Sequence, residues 1–239
     1  MKKPSATNMQ TKPRVCLLAL PFLTPSMYDI LEKFLHLMES VAGSVYLIAN
    51  RDYRPRDSNK VHLSGLTPLG PQRWRLFWML KYLRTEIEMA WHILRLARNI
   101  DIVIYRLGST AILPTLVARL LRLPVLTYAA AAEARIAKIE YRRGSLAHRL
   151  TTIQERLSYA ASDMIIVASE ALVGHLELDT HRDKVRLAYP HFIDTKRFSM
   201  RKTLNEREHL VGFVGRLRFS KGPLELARAI PLILASRPE

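Results

Sequence analysis

Cysteine is almost absent: Cys16 is the only one in 239 residues. A single thiol excludes an internal disulfide framework and any zinc site built from cysteines, and it fits a reducing, cytosolic compartment. No stretch reaches the roughly 20 apolar residues that a membrane-spanning helix needs. Acidic residues are scarce beside basic ones, 21 Asp and Glu against 37 Lys and Arg, for a formal net charge of +16. Such an excess attracts anionic partners (lipid head groups, nucleotide phosphates or nucleic acid) and says nothing about fold. No nucleic-acid motif accompanies it and the basic residues are dispersed, so nucleic acid is not an expected partner. The eight histidines are scattered, with no His-x-x-x-His pair and no carboxylate at ligand spacing, so no metal site is expected. What is present is a chain 49% hydrophobic, enough to bury a sizeable core in one domain or a domain and a half.

Residues 1–13 are a polar, basic tail, and the apolar run Val15–Leu23 behind it superficially resembles a signal peptide. That run is short, contains Pro21 and lacks a small-x-small cleavage pattern, so a buried first strand, Val15–Leu20, is the better reading. Ser26 is placed to cap a helix over Met27–Val41. Strands are expected at Val45–Ala49, at Val61–Leu66 (the weakest), at Asp101–Tyr105, at Pro124–Tyr128, at Met164–Ala168 and at Val185–Ala188. Helices are expected at Arg73–Arg98, Ala111–Leu121, Leu146–Ala160 and Ala171–Leu176. Strands alternating with helices imply an α/β, doubly wound parallel sheet of the Rossmann type over 14–200. Residues 201–208 read as a linker, with a strand at Leu210–Val214, a turn at Gly215–Gly222 and a helix at Pro223–Ala235 beyond it. Residues 209–239 are therefore the first β–α unit of a second, incomplete Rossmann domain, since one such unit cannot form a sheet alone.

The loop between this unit's strand and its helix has its own chemistry. Gly215 lets the backbone turn tightly after the expected strand, and Arg216, Lys221 and Gly222 follow at the mouth of a helix. Helix N-termini favour anions, Arg offers a fork of donors and Lys a mobile point charge, so the set suits a diphosphate. A solvated turn with two surface cations is the plain alternative.

Two segments resemble the GT4 glycosyltransferases, retaining enzymes of the GT-B fold. One runs from Ala161-Ser162-Asp163 through Ser169-Glu170-Ala171-Leu172 and Lys184-Val185 to Pro190-His191-Phe192-Ile193-Asp194 and Arg197-Phe198; the other is Gly215-Arg216-Leu217 followed by Lys221-Gly222. The resemblance implies a hexose transferred from a nucleotide-sugar co-substrate to a saccharide or lipid-linked acceptor, with no separate cofactor. It also implies that Gly215, Arg216, Lys221 and Gly222 bind the donor phosphates. There are departures. The loop Pro21–Ser26 has no glycine, and Ala129-Ala130-Ala131-Ala132-Glu133 carries no histidine where many members have one. Pro190-His191-Phe192-Ile193 replaces the usual Pro-Asn-Gly-Val, and the family's pair of glutamates seven residues apart would lie beyond Glu239. The chain is accordingly expected to be truncated and inactive alone, with its catalytic residue unknown. Thr24, Glu133 and Arg135 are acceptor-side candidates. So is Arg106, which would lie beyond a carboxyl strand end, where open α/β sheets bind ligands.

Leu76, Leu80, Leu83, Ile87, Trp91 and Leu94 recur at three- and four-residue spacing on the long helix, marking the face that an ordinary Rossmann helix turns to the core. Its start mixes aromatic and basic residues, with Trp78 and Tyr82 off that stripe. Arg73, Trp74, Arg75, Trp78, Lys81 and Tyr82 are membrane-contact candidates, suited to peripheral attachment at an anionic bilayer on the cytoplasmic side. Asp101 and Asp163 read as loop caps rather than catalytic acids, and Ser169-Glu170 as a helix cap. A second class of reading is a non-catalytic module that docks on anionic membranes or partners through its basic face.

Overall fold

The computed structural model describes residues 12–19, 25–68, 75–106, 111–129, 133–140, 145–188, 195, 198–199, 202–206, 210–215, 217 and 219–236, with backbone alone at 25–27, 75–79, 106, 133, 137, 140, 147, 204 and 220. The chain divides into two compact units, 1–133 with 150–190 and 134–149 with 191–239.

The first unit is built on seven strands: β1 Arg14–Ala19, β2 Ser44–Asn50, β3 Val61–Leu66, β4 Ile102–Arg106, β5 Val125–Ala129, β6 Met164–Val167 and β7 Val185–Leu187. They pair in parallel in the order β3-β2-β1-β4-β5-β6-β7, so β1, foreseen as the first buried strand, lies inside the sheet between β2 and β4. Parallel neighbours must be joined by crossovers; residues 51–60 link β2 to β3 without a helix, and the helices between the other strands are α1 Pro25–Val41, α2 Arg75–Leu96, α3 Ile112–Leu120, α4 Glu133–Glu140, α5 Leu146–Ala161 and α6 Glu170–His175, of which α4 after Glu133 and α5 before Leu150 fall in the second unit. This is the Rossmann-like α/β sheet that the sequence pattern implies.

Alternate residues of β1 feed two different cores. Cys16 and Leu18 pack with Ile48, Met89, Ile93, Val103, Tyr105 and Val125. Val15, Leu17 and Ala19 pack with Leu31, Leu35, Val45, Leu47 and Ile104. A strand covered on both faces needs apolar side chains at every position, which is why these strands read as unbroken runs. A third cluster, including Tyr159, Ile165, Val167, Val173 and Leu178, closes the β6–β7 end. In edge strand β3, a Cβ on Gly65 would lie 2.6 Å from Cβ of Arg51, so the close approach to the turn after β2 requires glycine.

Four readings from the sequence change. α1 begins at Pro25, one residue before the expected cap Ser26, because proline's fixed φ suits the first helical turn. α4 was not foreseen: Glu133–Glu140 lacks an apolar stripe but is rich in Ala, Glu, Arg and Lys, which favour helix. Residues 210–214 form no strand. They are exposed, with Val214 fully so, and no second strand lies beside them among the described residues. Strand propensity without a ladder partner leaves the backbone unpaired.

The fourth concerns α2. Its inward residues are Thr85, Glu86, Met89, Ala90 and Ile93, whereas Leu80, Leu83, Ile87, Trp91 and Leu94 are each between 47% and 58% exposed. The regular stripe is the outward face. The helix is apolar on two sides, and the row with the cleaner spacing is not the one that the sheet covers.

Burial in the middle of the sheet pushes the Cys16 thiol up to about 12. The folded chain should therefore be inert to a thiol-labelling reagent at neutral pH and label once, quickly, when denatured. Rapid native labelling would show that β1 is not held inside the sheet.

Candidate functional site

In an open parallel sheet, ligands gather beyond the carboxyl ends of the strands, where the chain order reverses. Here that switch point falls between β1 and β4, and its rim is defined by register: Ala19 pairs with Arg106, the last residue of each strand. Arg106 thus reaches the expected edge; its side chain lies outside the described residues. Thr24 lies outside them altogether, as do the segments 20–24, 107–110 and 130–132 that follow β1, β4 and β5. Glu133 opens α4, and Arg135 is an exposed residue of that helix.

The opposite edge is closed by two aspartates. Asp101 accepts the Arg14 backbone N–H at 2.8 Å and its guanidinium at 2.8 Å, so it fastens the start of β1 from the start of β4. The Arg14 partner holds the Asp101 carboxyl below the usual carboxylate range. Asp163 does the same one crossover on, accepting the Val125 N–H at 2.9 Å and the Arg119 guanidinium at 2.5 Å. Both residues sit at the amino ends of strands, away from the ligand edge, and these bonds to a neighbouring strand fit the cap role inferred for them. Ser169 precedes α6 but makes no side-chain cap bond, and Glu170 instead pairs with Arg182.

Glu86 was missed in the sequence. From the inward side of α2, its carboxylate accepts the N–H groups of Ile112 at 3.3 Å and Leu113 at 3.0 Å, the first turn of α3. Burial raises its pKa above the ordinary 4.5, against the opposing effect of those two N–H bonds and of the Tyr82 hydroxyl. The α3 N-terminus beside β4 is therefore already occupied by an anion from its own fold. The available signal was position: Glu86 lies in register with Met89, Ala90 and Ile93, and a carboxylate among inward residues must have a partner. Tyr82, a membrane-contact candidate, is half-buried and bonded to Glu86; Lys81 is half-buried as well. Arg73 and Trp74 lie outside the described residues, as do the side chains of Arg75 and Trp78.

The second unit carries the other candidates. A single 3-10 turn, Phe219–Lys221, leads through Gly222 into helix α7, Pro223–Ser236. Gly222 has φ +72°, a left-handed value that favours glycine, and its carbonyl accepts the Leu226 N–H at 3.1 Å as the first bond of the helix. Lys221 is exposed immediately before this mouth, and Gly215 lies in exposed backbone upstream. Arg216 lies outside the described residues. Proline at the first position removes a donor that the helix does not use, and the same first turn carries an acid, Glu225, whose Oε2 would lie 3.7 Å from a Cβ on Gly222. Among the described residues no group of three or more His, Cys, Asp or Glu could hold a metal ion, and no helix is long and apolar enough to cross a membrane.

The fold is of the Rossmann-type α/β class, and solved structures of similar fold match it. One match is a UDP-glucose:anthocyanidin 3-O-glucosyltransferase in complex with UDP, at TM-score 0.51 and 13% identity over 78% of this chain and 54% of that one. Another is Phytolacca americana UGT2 complexed with UDP-2-fluoro-glucose and pterostilbene, at TM-score 0.50 and 13% identity over 73% and 53%. The same UGT2 without ligand gives TM-score 0.51 at 12% identity, over 73% and 51%. The likeness is one of fold, and the chain spans about half the length of the structures it matches. No family model and no curated protein matches the sequence.

Because Glu86 is more easily protonated folded than unfolded, its contribution to stability is greatest in acid, below 4.5, and falls as pH rises through its raised folded value. Glu86→Gln keeps an oxygen for the two N–H groups and removes the titration. Its melting temperature relative to the parent chain should climb as pH increases from 4 to 8, and a difference independent of pH would contradict the buried-carboxylate account.

Proposed function

We propose that the chain belongs to a retaining glycosyltransferase of the GT4 type, moving a hexose from a nucleotide sugar to a saccharide or lipid-linked acceptor. In that reaction the bond between the anomeric carbon and the diphosphate oxygen breaks and a bond to an acceptor hydroxyl oxygen forms on the same face. The hydroxyl proton is lost and the nucleoside diphosphate departs. The part assigned to this chain is positioning and leaving-group electrostatics.

The observation that carries the reading is the junction at α7. A left-handed Gly222, the cation Lys221 beside it and the start of α7 at Pro223 make the kind of helix mouth that favours a diphosphate. Arg216 is assigned to the same phosphates and Gly215 to the close approach of backbone. The neutralised α3 N-terminus supports this assignment by removing the rival phosphate site beside β4. Arg106, Thr24, Glu133 and Arg135 remain the acceptor-side residues we assign, on the strength of Arg106 ending β4 at the switch point.

Calorimetric titration with UDP and with GDP tests this directly. The chain should bind at least one of them, and Arg216→Ala with Lys221→Ala should remove the binding while leaving the melting temperature unchanged, since Lys221 is exposed. Gly222→Ala, strained at positive φ by about 1 kcal/mol, should weaken the same binding. Nucleotide binding that survives the double substitution would sink the assignment.

A further inference from the structure

Helix α7 and the run before it have little burial for their composition. α7 has no buried residue, and Leu224, Ile230, Leu232, Ile233 and Leu234 are exposed on it. From Ile230 to Ala235 every position is exposed, so towards its end the helix is apolar all round rather than along one stripe. That composition belongs to a covered helix, and an isolated helix of 14 residues is marginal in water without packing. Leu210–Val214 repeats the problem in extended form. Leu210, Val211, Phe213 and Val214 are exposed, and no strand lies beside them among the described residues. Extended backbone with open N–H and C=O groups is a template for pairing.

The pattern of the run is self-complementary. Leu210-Val211-Gly212-Phe213-Val214 is apolar on both sides of Gly212, so two copies running antiparallel about a two-fold axis at Gly212 match apolar residues throughout. Leu210 then faces the second copy's Val214, and Val211 faces its Phe213, a β-branched residue against an aromatic one, which is a favourable cross-strand pair. At Gly212 itself a Cβ would meet nothing within 4 Å, so the axis is open to close approach. Charge does not oppose the pairing either. The run carries none, and α7 carries one acid and one base, Glu225 and Arg228, on a chain that is otherwise strongly basic at +16. A standard interface takes roughly 20–30 residues from each partner, and 210–236 is a segment of that size.

We propose that 210–236 is the interface of a homodimer: the two Leu210–Val214 runs pair as an antiparallel ladder across a two-fold axis at Gly212, and the two α7 helices pack against that ladder. Each copy supplies the strand partner and the helix cover that a single β–α unit lacks. The pairing uses neither Arg216 nor Lys221, so it does not rest on the nucleotide site.

Sedimentation equilibrium of the full chain from micromolar to millimolar concentration, without nucleotide, should show a monomer–dimer equilibrium, and the melting temperature should rise with concentration. Gly212→Cys tests the axis itself. Residues directly opposite in an antiparallel pair have Cα atoms roughly 4.5–5.5 Å apart, within the span a disulfide bridges. Oxidised glutathione should therefore convert this variant to a covalent dimer that dithiothreitol reverses, while the native Cys16 stays silent because it is buried. Leu116→Cys, on the exposed side of α3, should cross-link far more slowly. Val211→Glu with Phe213→Glu sets like charges opposite each other and should weaken the dimer about tenfold or more, and Leu232→Glu with Leu234→Glu should do so through α7. These four positions are exposed, so an unchanged melting temperature at low concentration verifies that each variant is folded. A chain that stays monomeric throughout the range overturns the proposal, as does a Gly212→Cys variant that cross-links no faster than Leu116→Cys. A dimer that both double variants leave intact, and that Ile87→Glu with Trp91→Glu abolishes instead, would place the contact on α2 and overturn it as well.

Discussion

Everything in the first unit depends on the parallel ladder through β1. Its seven strands run in one direction, so each return must cross a face of the sheet, and both faces of the central strands are buried. The same constraint sorts the molecule chemically. All strand starts lie at one edge, where Asp101 and Asp163 each lock a neighbouring strand by a backbone bond and an arginine. All strand ends lie at the other edge, where the segments after β1, β4 and β5 lie outside the described residues. Rigidity and recognition are separated by direction alone.

Glu86 extends that logic to the helices. A helix N-terminus beside the switch point is the usual place for a phosphate, and the fold fills it with a carboxylate from α2. Burying that carboxylate costs stability at neutral pH, and the cost is repaid in part by two N–H bonds and the Tyr82 hydroxyl. The first unit is thereby biased against binding a phosphate beside β4. At the start of α7 the exposed Lys221 and left-handed Gly222 are joined by an acid of the first turn, Glu225.

The strands were legible because double burial writes itself as unbroken apolar runs, and the expected ranges fall within a residue or two of β1 to β7. The helices α3, α5 and α6 were equally plain, and the aspartate caps followed from their place just before strands. What was not legible came from partners that a sequence does not display. α4 has helix-forming composition but no stripe. α2 has two apolar sides, and spacing alone does not say which one the sheet covers. Leu210–Val214 has the composition of a strand without a neighbour to pair with. Of the candidate site, the helix after Gly222 was legible, but the glycine at positive φ is Gly222 rather than Gly215, the residue expected to make the tight turn, and Glu86 required knowing which way α2 faces.

The central claim is that a nucleoside diphosphate is held at the mouth of α7. Hydrogen exchange of the backbone amides, followed by mass spectrometry with and without saturating UDP, examines that segment and the sheet edges in one experiment. The account predicts slowed exchange in peptides covering 211–230, including the Leu224 and Glu225 amides, with the amino ends of β1 and β5 unaffected. Unchanged exchange across 211–230, with protection instead at the first turn of α3, would contradict it.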